Sequence, residues 1–418
     1  MILSIRLKQG NNYNMNTQEI PTLLLTGYLG SGKTTLLNRI LANEKGVKFA
    51  VIVNDIGEVN IDAKLIEQGG IVGQKDDSLV ALQNGCICCT LKMDLVKQIN
   101  DIINMKRFDY IVIEASGICE PAPIAQTISA YPQMVSPDTL RNGLAKLDAI
   151  VTVVDALRMR DEFGLGDELK KASHEEENLA SLVIQQIEFC NIILLNKASD
   201  ISRKDLAHLK AIIQEIQPKA EIMECDYGNV ELEKLLNTHL FDFEKVATSA
   251  RWIEAIEGHD HEHDEEPSHE HDEHHQDGHH HHHHHELKNE ESGEALEYGI
   301  GTFVYYRRKP MNLSSFDEFV STQWPRSVIR AKGMCYFGDE KATCYLFEQA
   351  GRQFNITNAG QWYATMPQEE LSKFMEQNPD MQKDWDEKYG DRMQKIVFIG
   401  HDMDRKAIES ALDKCLDE

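Results

Sequence analysis

Gly27-Tyr28-Leu29-Gly30-Ser31-Gly32-Lys33-Thr34 fits the pattern G-x-x-x-x-G-K-[ST] in full. An apolar run, Thr22–Leu25, precedes it, and Leu36, Leu37, Ile40 and Leu41 recur at helical spacing after it. A chain carrying this junction is committed to a strand, a glycine-rich turn and a helix in immediate succession. The glycines let backbone N–H groups turn inward, and the helix N-terminus adds partial positive charge, so the turn suits a phosphate group. Lys33 is expected to reach the β- and γ-phosphates of a nucleotide, with the Thr34 hydroxyl on Mg²⁺. Gly27, Gly30, Ser31, Gly32, Lys33, Thr34 and Thr35 are the expected nucleotide-binding residues of this loop.

Further short apolar runs follow at Phe49–Val53, Tyr110–Ile113, Ile150–Val154, Ile192–Leu195 and Glu221–Met223, separated by segments of helical pattern. Runs that are apolar at consecutive positions suit parallel strands buried on both faces. Alternating β and α elements predict a doubly wound, mostly parallel α/β sheet with ligands at the carboxyl ends of its strands. The pattern stops near Ala247. Residues 247–298 carry almost no apolar cluster beyond Trp252 and Ile253, and read as a disordered linker. From Gly299 a different rhythm begins. Strands are expected at Phe303–Tyr306, Ser327–Ala331, Thr343–Phe347, Phe354–Thr357 and Lys395–Ile399, with helices at Ser314–Ser321 and Arg405–Leu416. The expected organisation is therefore an extension over residues 1–20, a P-loop domain over 21–246, the linker, and a smaller α+β domain over 299–418.

Two further places bear on a nucleotide. Tyr110–Ile113 ends in Glu114, and Gly117 follows three residues on. An acid at that place supports Mg²⁺ or the attacking water, and Gly117 is positioned to offer its backbone N–H to a γ-phosphate. Asn196-Lys197 closes the run Ile192–Leu195, where GTPases carry Asn-Lys-x-Asp, the Asp pairing with the guanine N1 and N2 donors. Here Ser199 holds the fourth position and Asp200 the next. Two readings stay open: Asp200 reaches the base from one place along, or Ser199 leaves guanine selectivity weak. GTP is the expected nucleotide.

The chain has nine cysteines, three of them crowded into Gly85-Cys86-Ile87-Cys88-Cys89 and six scattered singly, which is not a secreted disulfide framework. Cys86 and Cys88 stand two apart, on one side of an extended segment, and Cys89 joins them if the chain turns. Three thiolates suit Zn²⁺ or Cu⁺ and leave a fourth position open, as befits a metal that is passed on. A redox pair or plain buried thiols are the rival readings. Glu58 and Asp62, in Asn54-Asp55-Ile56-Gly57-Glu58-Val59-Asn60-Ile61-Asp62, are candidate oxygen ligands. Between His259 and Glu286 stand fourteen of the eighteen histidines and ten acidic residues, with no Lys or Arg. Imidazoles are mostly neutral at pH 7, so His259, His261, His263 and their neighbours are expected to form weak, exchanging metal sites. His174, His208, His239 and His401 are read as ordinary surface or packing residues.

The formal charge of −26 argues against nucleic acid and anionic membrane as partners. No apolar run approaches the roughly 18 residues of a membrane span. The first residues have neither a long apolar stretch nor a cleavage site, Met15 is a possible alternative start, and a cytoplasmic address is expected.

These motifs resemble those of the CobW-like metallochaperone GTPases, relatives of the accessory GTPases of urease and hydrogenase maturation. The resemblance rests on Gly27–Thr34, Asn54–Glu58, Gly85–Cys89, Glu114-Ala115-Ser116-Gly117 and Asn196-Lys197. It continues in Arg307-Arg308-Lys309-Pro310, Arg330-Ala331-Lys332-Gly333 and Val397-Phe398-Ile399-Gly400. The sequence departs from the family pattern at Ser199 and at Asp55, where Glu is usual. The resemblance implies that Cys86, Cys88 and Cys89 bind zinc, or else cobalt or nickel, and that GTP state gates its release to a client metalloprotein. It also implies slow intrinsic hydrolysis, with Lys33, Glu114 and Asp55 as the catalytic set. A monomer or homodimer is expected. The alternatives are a zinc buffer with a regulatory nucleotide site and an activator of a cobalt or iron enzyme.

Overall fold

The computed structural model describes residues 18–42, 46–53, 79–83, 92–162, 174–253, 299–350, 353–378 and 385–417. The chain divides into two compact units. Asp55, Glu58, Asp62, Cys86, Cys88, Cys89 and the histidine tract with His259, His261 and His263 lie outside the described residues.

The first unit is built on seven strands, β1 (Glu19–Thr26), β2 (Phe49–Val53), β3 (Leu79–Gln83), β4 (Tyr110–Glu114), β5 (Leu144–Asp155), β6 (Ile192–Asn196) and β7 (Glu221–Glu224). They pair in the order β3-β2-β4-β1-β5-β6-β7, and each pairing is parallel. This is the doubly wound sheet that the consecutive apolar runs predict, with β3 added at its edge, a strand the sequence reading did not include. Leu23, Leu24 and Leu25 are all fully buried, as is every residue of β4 and β6, because helices cover both faces. On one side, Leu36, Leu37 and Ile40 of α1 (Lys33–Leu41) pack against Leu23, Leu25, Val51, Val112, Val151 and Val153. Each such side chain contributes about 1.5–3 kcal/mol by leaving water.

The remaining helices of this unit that matter here are α2 (Lys92–Met105), α3 (Pro121–Met134), α4 (Ala156–Glu162), α5 (His174–Glu188) and α6 (Arg203–Ile216). α6 starts where Ser202 caps it: the Ser202 hydroxyl accepts from Asp205 N at 3.1 Å, and Leu206, Leu209, Ile213 and Ile216 bury one face. β5 begins six residues before the expected Ile150, since its first turn alternates apolar and polar residues at the sheet's rim. There Lys146 pairs with Glu19 of β1 at 2.9 Å.

A second sheet has five strands, β8 (Ile300–Arg307), β9 (Val328–Cys335), β10 (Thr343–Ala350), β11 (Gln353–Gln361) and β12 (Gln394–His401), in the order β11-β10-β9-β12-β8. β12 runs antiparallel to both β8 and β9. Two helices, α7 (Leu313–Thr322) and α9 (Arg405–Asp413), set Phe316, Phe319, Ile408 and Leu412 into a core with Phe303, Tyr305, Phe347 and Phe398. Phe303 and Phe398 stack at 5.0 Å. α9 stops at Asp413 and not at the expected Leu416, because Leu416 bridges to Met311 instead. A helix absent from the sequence reading, α8 (Gln368–Gln377), has no fully buried residue and carries only Leu371, Phe374 and Met375 as large apolar side chains. Sheet and helices together form an antiparallel α+β fold, as the pattern after Gly299 implies.

Burial raises the thiol pKa of Cys190 and Cys344 from 9.0 to about 12 and that of Cys225 to about 11. It pushes the Tyr131 phenol to about 12. Groups with raised folded pKa values stabilise the fold fully below their unfolded values and lose that contribution as pH climbs through the folded ones. The urea midpoint should therefore fall between pH 8 and pH 10.5, the loss starting near pH 9 as the unfolded thiols ionise. A midpoint flat across that interval would contradict the burial of these groups.

Candidate nucleotide site

β1 sits between β4 and β5, where the sheet order reverses, and its carboxyl end opens into Gly27–Thr34. Gly27, Gly30 and Gly32 hold φ of 134°, 76° and 110°, in the region that favours glycine. The turn closes with Ser31 N donating to Tyr28 O at 3.2 Å. Gly32 caps α1, and a Cβ there would lie 2.3 Å from Asn196 Nδ2. Lys33 is buried, its Nζ donating to Tyr28 O at 3.1 Å. Thr35 is exposed on α1.

The loop fits a phosphate group on two observations. A Cβ on Gly30 would meet nothing within 4 Å, so the turn leaves open space there. The Ser31 hydroxyl is buried without a hydrogen-bond partner among the described residues. Beside it, Thr34 Oγ1 donates to Glu114 Oε1 at 3.2 Å. A hydroxyl and a carboxylate held together at the phosphate end of a strand are hard oxygen donors of the kind Mg²⁺ takes.

Glu114 is brought there by register, since Glu114 on β4 stands opposite Leu25 of β1 on one side and Val53 of β2 on the other. Val53 in turn stands opposite Gln83 of β3. One row across the sheet thus joins Leu25, Glu114, Val53 and Gln83. The chain leaves β4 through Ala115, whose N–H donates to Leu25 O at 2.9 Å. Gly117 then packs on the phosphate loop: a Cβ on it would come within 2.7 Å of Leu29 N. Gln186 of α5 holds this segment from behind, donating to Gly117 O at 3.3 Å and Cys119 O at 3.1 Å.

Asn196, buried at the end of β6, clamps the other side. Its Nδ2 donates to Ser31 O at 2.8 Å, and its Oδ1 accepts from Gly228 N at 3.2 Å. Lys197 follows at φ 58° and its ammonium pairs with Asp155 at the end of β5. Asp155 Oδ1 also accepts from Arg158 N at 3.1 Å, and the Arg158 guanidinium lies 4.5 Å over the Tyr28 ring. Ser199 gives both its N–H (3.1 Å) and its hydroxyl (3.0 Å) to Asp226 Oδ1.

The fold therefore gathers Gly27, Gly30, Ser31, Gly32, Lys33, Thr34, Glu114, Gly117, Asn196 and Lys197 along the carboxyl ends of β1, β4 and β6. Sequence reasoning missed Asp155, Gln186 and Asp226. Asp155 had a signal, because it closes an apolar strand as Glu114 does; Gln186 and Asp226 had none. Among the described residues no three His, Cys, Asp or Glu side chains are grouped closely enough to hold a metal ion. The six described cysteines are buried, and none forms a disulfide among the described residues.

Comparison with known proteins bears on the same elements. Residues 21–224 match the CobW/HypB/UreG nucleotide-binding domain, and residues 300–416 the cobalamin synthesis protein CobW C-terminal domain. The zinc-regulated GTPase metalloprotein activator 1 of Dictyostelium discoideum is 35% identical over 415 residues, spanning 96% of this chain and 80% of its own length. The chain belongs to the CobW family. It is a P-loop GTPase of that family, with the CobW nucleotide-binding domain followed by the CobW C-terminal domain. The zinc chaperone YjiA of Escherichia coli is 30% identical over 237 residues, 56% of this chain and 65% of its own. The solved structure of Zn(II)-bound YjiA GTPase aligns at 21% identity and TM-score 0.38, covering 96% of this chain and all of that one. No helix among the described residues of this CobW protein is long and apolar enough to cross a membrane.

Proposed function

We propose that this CobW protein is a metallochaperone that binds zinc at Cys86, Cys88 and Cys89 and yields it to a client metalloprotein under the control of GTP hydrolysis. The observation that carries the reading is the row Leu25, Glu114, Val53 and Gln83 across the sheet. Asp55 follows Val53 by two residues and Cys86 follows Gln83 by three. Three residues of chain reach at most about 10 Å, and neighbouring strands lie about 4.8 Å apart. A short covalent tether thus joins Cys86 to the carboxyl end of β3, the strand end at which this reading sets the metal. The relatives named as zinc-regulated activator and zinc chaperone support the choice of metal.

In this mechanism Lys33 neutralises the β- and γ-phosphates of GTP, and the backbone of Gly27–Gly32 cradles them. Thr34 and Glu114 would hold Mg²⁺, which when bound would supply further neutralisation of the phosphate charge. Asp55 and Glu58 belong to the segment that follows β2, with Asp55 assigned to the hydrolytic set and Glu58 to the metal as an added oxygen ligand. Gly117 senses the γ-phosphate through its N–H. Loss of that phosphate relaxes the Glu114–Gly117 segment and the loops rooted beside it. Cys86, Cys88 and Cys89 then hold zinc less tightly. The histidine tract, with His259, His261 and His263, collects zinc at weak sites and raises its local concentration.

Coupling of this kind is about 1–3 kcal/mol and acts equally in both directions. A competitive zinc titration tests it, on protein lacking His259–His285 and loaded with a non-hydrolysable GTP analogue or with GDP. Zinc affinity should differ several-fold between the two and disappear when the three cysteines become Ser. Equal affinities, or zinc binding that vanishes with the tract alone, would point instead to a metal buffer with an independent GTPase cycle.

A further inference from the structure

Guanine offers two donors, N1–H and the exocyclic N2–H₂, and a site that selects it over adenine sets one carboxylate against both. In this chain the place after Asn196-Lys197-Ala198 is a hydroxyl, Ser199. We propose that Asp226, on the loop after β7, is the carboxylate that reads guanine. The proposal rests on the GTPase assignment and names the specificity-determining residue of that site.

Ser199 turns both its donors, N–H and Oγ–H, onto Asp226 Oδ1, at 3.1 and 3.0 Å. The carboxylate thus stands one hydrogen bond from the slot that the Asn-Lys motif builds. Its other oxygen, Oδ2, accepts no hydrogen bond from the described residues. The loop that carries it is fixed at three points. Asn196 Oδ1 accepts from Gly228 N at 3.2 Å, Arg39 Nε donates to Tyr227 O at 2.8 Å, and Arg39 Nη1 donates to Asn229 Oδ1 at 3.0 Å. Asn196 also holds Ser31 O, so Asp226 belongs to the same hydrogen-bonded frame as the phosphate loop. Asp200 is different. It is exposed, its N–H turns back to Lys197 O at 3.1 Å, and no hydrogen bond from the described residues fixes its side chain. A pre-positioned acceptor loses less entropy on binding than a free one, which favours Asp226.

Xanthine separates the two acids. It carries a C2 carbonyl where guanine has the amino group, so an amide at the reading position donates to that oxygen while accepting from N1–H. Affinities for GDP, ADP and xanthosine diphosphate should be measured on the parent chain, Asp226→Asn and Asp200→Asn. Asp226→Asn should weaken GDP by roughly a hundredfold, the scale of two charge-assisted hydrogen bonds, and strengthen xanthosine diphosphate by a similar factor. Asp200→Asn should keep the parental preference. An Asp226→Asn protein that still prefers GDP overturns the proposal, as does a switch that appears in Asp200→Asn. So does loss of GDP without gain of xanthosine diphosphate in a variant that melts like the parent. A parent that does not distinguish GDP from ADP removes the guanine reading itself and the proposal with it, whereas a guanine-selective parent with unswitched Asp226→Asn removes the proposal alone.

Discussion

Lys33→Ala should lower kcat/KM for GTP hydrolysis by about a hundredfold or more, the scale on which a pre-organised group facing developing phosphate charge contributes. The ammonium is buried at the start of α1 and donates to Tyr28 O at 3.1 Å, so it is held inside the turn by the loop's own backbone. Removing it takes away the one cationic side chain of the Gly27–Thr34 motif, while the turn itself keeps its glycines and its Ser31–Tyr28 bond. The fold should therefore survive, with a stability change of about 1 kcal/mol. Nucleotide should reveal the difference. Ligand at a hundred times its Kd adds about 2.7 kcal/mol to the parent's stability, and that gain should be absent from the variant in a melting curve with GDP. Turnover unchanged by the substitution would remove the phosphate loop from the mechanism.

Gly117→Ala should be the next most damaging change, although it adds a single methyl group. The new Cβ would lie 2.7 Å from Leu29 N and 2.7 Å from Leu29 Cδ2. The Leu29 side chain is half exposed and can swing away, but its backbone nitrogen is part of the phosphate loop. Gly117 cannot retreat, because Gln186 holds its carbonyl and that of Cys119. The loop must shift, and overpacking of this sort costs about 1–3 kcal/mol of stability. Misplacement of about 1 Å in a catalytic frame costs up to about a hundredfold in rate. GTP turnover should fall by roughly tenfold to a hundredfold, with a lowered melting temperature. A variant with parental turnover would show that close packing of Gly117 on Leu29 is dispensable.

How much of this was legible in the sequence depended on the range of the contacts involved. The phosphate loop was legible because its geometry is written in adjacent residues: three glycines at positive φ, then a lysine and a threonine at the head of an amphipathic helix. β2 and β6 were legible because helices on both faces leave no polar position inside them. Gln186 and Asp226 were not. Gln186 reaches Gly117 across 69 residues and Asp226 reaches Ser199 across 27, and neither distance has a local signature. β11 was only partly legible, as Phe354–Thr357, because most of its residues are exposed and its apolar alternation is confined to Phe354 and Ile356.

Asn196 gives the nucleotide pocket a temporal character. Its one amide grips Ser31, 165 residues earlier in the chain, and Gly228, 32 residues later. A nascent chain emerging from the ribosome can form β1 and turn its glycines long before either grip exists. The glycine-rich turn after β1 and the loop after β7 are joined through Asn196 only after β7 has added to the sheet's edge and Gly228 has followed it out. Until then, GTP meets a loop without its brace.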